Sequence, residues 1–172
     1  LLELEKEGLI VVKFGVRRVV ELSEYDIREL YQVRLILEKA AVELATQNTS
    51  PENRMALSMK LQEMEEAFAR KDIHTFIRND LETHLLIWSQ SNNNRLLNML
   101  KSMVGPIFMF MATNAEYYPW KETVELHQDL VTAINSGNTY RSVKSIERHI
   151  NSALHLSLSM SQKRKVLALS QN

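Results

Sequence analysis

Three histidines and one aspartate stand where apolar residues belong. In the stretch DIHTFIRNDLETHLLIWSQS, residues 72–91, helical spacing puts Ile73, Phe76 and Ile87 on one stripe. Ile77, Leu81, Leu85 and Trp88 fall on the stripe beside it. Asp80 and His84 interrupt the first stripe and carry on its register. Residues four apart share a helix face, so a carboxylate and an imidazole point where the apolar side chains point. A buried unpaired carboxylate is costly and needs a cation, a donor or a proton. His127 and His149 each replace an apolar residue in the same way, on the stripes Trp120, Val124, Val131, Ile134 and Val143, Ile146, Ile150, Ala153. Taken singly, each is a hydrogen-bonded interior histidine or a ligand. Together, on three helices of one small bundle, Asp80, His84, His127 and His149 form a donor set for a mononuclear divalent ion, Zn²⁺, Ni²⁺, Mn²⁺ or Fe²⁺. Four protein ligands close a tetrahedral zinc site, whereas an octahedral one leaves room for water or a ligand oxygen. Imidazole binds metal only when neutral, so occupancy should fall below about pH 6. No Glu-x-x-His and no HExxH occurs, which argues against a di-metal carboxylate site. His74 and His155 share their faces with charged and polar residues and read as solvent-facing.

Two groups of cations add to this. Arg34 falls on the inward stripe Ile27, Leu30, Leu37, Ala41, Leu44, where a leucine is expected. It either pairs with Glu38 one turn on, or faces a cavity and awaits an anion. Lys13, Arg17 and Arg18 surround the break at Phe14-Gly15 in LIVVKFGVRRVVEL, a β-branched run that reads as a hairpin over about 9–13 and 17–21. They either protect a sheet edge or form a wing that touches phosphate.

The elements that must position these residues are helices. LLELEKEGL reads as the end of a helix stopped by Gly8. Ser23 and Asp26 suit the start of a helix running to about Gln47. A second, from about Glu52 to Arg70, carries Met55, Met59, Leu61, Met64 and Phe68, read as flexible core filling. After the aspartate–histidine helix, residues 95–116 are apolar on nearly every side, which predicts the central helix of the bundle, kinked at Gly105-Pro106. Tyr117-Tyr118-Pro119 makes a corner before the His127 helix, and the His149 helix continues past Ser159.

Composition sets the outer bounds. The 172 residues suffice for one substantial core, and 4 Gly with 3 Pro favour long helices. Lys+Arg and Asp+Glu balance at 21 each, so overall charge neither indicates nor excludes nucleic acid. The absence of cysteine removes disulfides and thiolate chemistry. No uninterrupted apolar run approaches the roughly 18–20 residues of a membrane span, and the expected compartment is the cytoplasm. The chain opens on Leu1 within a helical pattern, from which a preceding segment is expected.

A hairpin followed by helices bearing Asp80-x-x-x-His84, His127 and His149 resembles the GntR family of bacterial transcription regulators, in its FadR-like branch with the metal-binding FCD effector domain. LLELEKEGLIVVKFGVRRVVEL looks like the end of that family's winged helix-turn-helix domain, with one glycine in the wing where the family often has two. IRELYQVRLILEKAAVELA, with Arg34 and Glu38, is similar to the first effector-domain helix, and HQDLVTAINSGN to the segment before the last. The resemblance implies residues 1–22 as the remnant of a DNA-binding domain and residues 23–172 as an all-α bundle of six or seven helices. It further implies a metal on the four ligands, a small organic carboxylate beside it, homodimerisation and operator binding that responds to the effector. It favours an effector role for Arg34 over pairing with Glu38.

Two other readings remain. A mononuclear metal enzyme would need a further acid or base facing the core, and the stripes offer no carboxylate besides Asp80. A metal-free regulator would bind an acyl ligand through the methionine-rich helices.

Overall fold

The computed structural model describes residues 10–13, 16–19, 22–113 and 119–169, with side chains described at 12, 22–113 and 119–163. Strand β1, Ile10–Lys13, pairs antiparallel with β2, Val16–Val19, placing Val11 opposite Arg18 and Val12 opposite Arg17. The expected hairpin is present, its strands beginning or ending within two residues of the pattern's limits. The helix expected before Gly8, the Phe14-Gly15 break and the Tyr117-Tyr118 corner lie outside the described residues.

Six helices follow: α1 Glu24–Gln47, α2 Pro51–Ala69, α3 Ile73–Gln90, α4 Asn94–Thr113, α5 Trp120–Asn135 and α6 Thr139–Leu169. Their starts are written in capping residues. Ser23 Oγ accepts the Asp26 N–H at 3.2 Å while Asp26 Oδ2 accepts the Ser23 N–H at 2.9 Å, a reciprocal capping box. Ser50 caps α2 ahead of Pro51, and Asp72 caps α3 through the Thr75 N–H. Helix α5 ends on Gly137, whose φ of 71° lies in the left-handed region open to glycine.

Helix α1 is the hub, packed against α3, α4, α5 and, over its greatest length, α6. Its buried face reads Ile27, Tyr31, Arg34, Glu38, Ala41, Val42, Ala45, Thr46, which keeps Ile27, Arg34 and Ala41 of the expected stripe but not its leucines. Leu30, Leu37 and Leu44 are only half-buried. A helix with neighbours on several sides buries a wide arc, and here the centre of that arc is polar and hydrogen-bonded while the leucines line its edge. Two other expectations are corrected. Met55, Met59 and Phe68 of α2 are exposed, and its buried residues are Leu57, Met64 and Ala67. Helix α4 lies on the flank, against α1 and α3, with Met99 53% exposed. An all-round apolar helix does not by itself say which side faces inward. By length and composition α4 also meets the test for a membrane span. Its Leu96, Leu100, Val104, Ile107, Phe108 and Met111 are nevertheless buried in the bundle. The helix runs through Gly105-Pro106 without a break.

Candidate metal centre

Helix α3 presents Asp80 and His84 one turn apart, α5 presents His127 and α6 presents His149. All four are buried, at most 4% exposed, and one ligand atom from each lies within 4.8 Å of the others. The set that the stripes singled out is thus brought together by three helices that pack on α1 or on each other. His84 Nε2 is 3.1 Å from His149 Nε2, and the His127 and His149 rings meet edge to face with centroids 4.5 Å apart.

The far sides of two of the rings are tied down. His84 Nδ1–H donates to Glu38 Oε2 at 2.8 Å. His127 Nδ1–H donates to the Thr123 carbonyl, one turn earlier on α5, at 2.8 Å. Each bond sets the tautomer, leaving the Nε2 lone pair of both rings turned into the cluster. His127 Nε2 and Asp80 Oδ1 then approach to 2.9 Å, and neither has a hydrogen-bond partner other than the other. Two buried lone pairs at contact distance repel unless a cation or a proton lies between or beside them. This donor chemistry fits a divalent transition metal.

The electrostatics keep the donors in ligating form. Burial alone would push the Asp80 carboxyl up, but positive charge at His127, the proton that can take a metal's place at this contact, then at His84 and Arg34, holds it below its ordinary value. Burial, reinforced by His127, His84 and Arg34, drives His149 well below the usual imidazole range, so it stays neutral. Glu38 is pulled down to about 2: burial opposes its ionisation, but the Arg34 guanidinium and His84 outweigh it.

Arg34 takes the first of its two expected arrangements and also borders a cleft. It pairs with Glu38, the contact that the family resemblance set aside, and its Cζ lies 5.6 Å from the centre of the Tyr31 ring. Its Nη2 also reaches 3.4 Å from His84 Nε2 and lines the cleft above the cluster. Glu38 is the residue that sequence reasoning missed. It is fully buried and joins Arg34, His84 and the Trp88 indole N–H, which donates at 3.2 Å. This overturns the expectation that Asp80 is the sole carboxylate facing the core. Its position four after Arg34 signalled the pair, but nothing in the sequence signalled its reach to α3. Lys13, Arg17 and Arg18 lie on β1 and β2, and their side chains are outside those described.

A narrow cleft lined by Tyr31, Met111, Leu156 and Met160 leads to Arg34, Asp80 and His149, with the exposed Glu122 also on its wall. The free space within it for a water-sized sphere is ≈ 20 Å³, enough for about one water.

Comparison with known proteins agrees with this architecture. The FCD domain model matches residues 29–152. The HTH-type transcriptional regulator YdhC of Bacillus subtilis (strain 168) is 28% identical over 153 residues, covering 86% of this chain and 67% of that protein. Among solved structures, E. coli McbR/YncC superposes with a TM-score of 0.80 at 21% identity, covering 92% of this chain and 81% of that one. A GntR family transcriptional regulator from Pseudomonas syringae pv. tomato str. DC3000 gives 0.76 at 19% identity, covering 96% and 69%. At those identities the structural likeness is one of fold. The family model spans most of α1 to α6 and includes Arg34, Glu38 and all four clustered residues, so the chain belongs to the FCD domain family.

Proposed function

We propose that this chain is the sensing part of a ligand-responsive GntR-type transcription regulator of the FadR-like branch. In this reading its helical domain binds a divalent transition metal and a small organic carboxylate, and it acts as a cytoplasmic homodimer. The observation that supports the metal is the convergence of four buried donors, with Asp80 Oδ1 and His127 Nε2 2.9 Å apart and engaged by no other hydrogen bond. Asp80, His84, His127 and His149 would hold the ion, with Zn²⁺ the best match to three imidazoles and a carboxylate and Ni²⁺, Mn²⁺ or Fe²⁺ as alternatives. When bound, the ion supplies a Lewis-acidic centre for a carboxylate oxygen.

The chain's own residues do the rest. Glu38 and Tyr31 fix the Arg34 guanidinium, which also lines the cleft and would take an effector carboxylate there. With so little free space in the cleft, an effector must part α1 and α6 or displace the methionines between α4 and α6. A ligand that prefers one arrangement of these helices shifts the population toward it. In a dimer that shift would alter the spacing of the two DNA-reading units, whose half-sites lie about one helical turn apart. The hairpin would serve as the wing, with Lys13, Arg17 and Arg18 at phosphate. An enzyme is the weaker reading, because Glu38 is engaged by Arg34, His84 and Trp88 and is not free to act as a base.

Metal analysis of protein purified without added metal tests the reading. About one equivalent per chain is expected, lost in His127→Ala, with carboxylate binding abolished by chelator. Metal-free protein whose carboxylate binding ignores chelator would overturn it.

A further inference from the structure

We propose that the cleft selects a short monocarboxylate with an uncharged tail and rejects dicarboxylates, and that Glu122 is the residue that does so. This rests on the carboxylate reading of the site. Charge is distributed unevenly among the residues lining the cleft. The buried end holds Arg34, the one cation among the described lining residues, beside Asp80 and His149. The exposed Glu122 is the only other charged group on the described wall, and its Oε1 accepts from Ser152 Oγ at 3.0 Å. Between them the wall is neutral. The Tyr31 hydroxyl and Ser157 Oγ are hydrogen-bonded to each other at 2.9 Å, flanked by Met111, Leu156 and Met160.

An acid entering carboxylate-first finds Arg34 at the buried end and apolar or hydroxyl partners along its tail. A second carboxylate at the tail meets Glu122 and, among the described lining residues, no compensating cation. Lys121, the nearest cation in sequence, does not line the cleft, is 81% exposed and lies 3.7 Å from Glu125. Like charges across a partly desolvated cleft weaken binding, and salt screens the effect only in part. Tail length is limited by how far the walls yield, with Met111 and Met160 as the side chains best able to do so.

Butyrate and succinate, equal in carbon count, make the test, by calorimetric titration of the full metal-loaded chain at low salt. Butyrate should bind about tenfold or more tightly than succinate. Glu122→Gln should shrink that ratio and Glu122→Lys should reverse it. Succinate binding as tightly as butyrate, or a ratio that neither substitution moves, overturns the selectivity while leaving the site reading intact. Binding of neither acid overturns both.

Discussion

Glu38 shows how one buried carboxylate can serve three partners. It accepts from His84 Nδ1–H and from Trp88 while paired with Arg34, so it sets a ligand's tautomer and also steadies the cation proposed for the effector. Replacing such an outer partner of a metal-bound histidine costs about 10–100-fold in metal affinity. Glu38→Gln should show a loss of that size in competition with a chromophoric chelator. An unchanged affinity would mean that His84 is held by packing alone. The same buried groups fix the acid response of the metal-free protein. His149 resists protonation in the fold, whereas the unfolded chain takes up a proton near the ordinary 6.5, so stability should decline as pH drops below about 6.5. Glu38 acts lower down. Its ordinary value of 4.5 falls to about 2 in the fold, so its contribution is complete above about pH 4.5 and disappears as pH falls toward 2. Urea midpoints measured against pH should therefore fall in two stages, and Glu38→Gln should flatten the lower one.

At the level of elements, the helix ends invite a stability test. Lys71 follows α2 with φ 57° and donates its N–H to the Phe68 carbonyl at 3.0 Å, while Asn92 follows α3 with φ 55°. Left-handed backbone strains a β-carbon, and asparagine tolerates it better than lysine does. Lys71→Gly should raise stability by up to about 1 kcal/mol, or about 2–4 °C in melting temperature. Asn92→Gly should gain less, and equal gains at both sites would refute the strain argument. Helix starts were legible in the sequence where a cap is a local matter, as Ser23 with Asp26 shows. The clustered donors were legible for a related reason: Asp80, His84, His127 and His149 each break an apolar stripe that one helix defines alone. What lay beyond the sequence depends on how helices rotate against each other. Glu38 reaches His84 only because α1 turns its 31–34–38 face to α3, displacing Leu30 and Leu37 to the edge. Helix α4 offered apolar residues on every side, so its pattern fitted a flank as well as a centre.

Across the whole molecule, the cluster ties together helices that are far apart in sequence. A metal at the four ligands would link α3, α5 and α6, and through Glu38 and Arg34 it would link α1, the hub. An ion that binds the folded chain alone stabilises it by mass action, about 4 kcal/mol at a thousand times its dissociation constant. For a chain of this size that is a melting shift of about 8–16 °C, reversed by chelator. A carboxylate effector at a hundred times its own constant adds about 2.7 kcal/mol, but in this arrangement only when the ion is present, since Arg34 alone offers half of its site. The two shifts should thus exceed their separate sum, and the effector in turn should tighten metal binding by the same factor, because such coupling is reciprocal. Melting curves over the four combinations of metal and acid read this directly. Equal effector shifts with and without metal would place the acid elsewhere in the bundle and separate the ion from the sensing step.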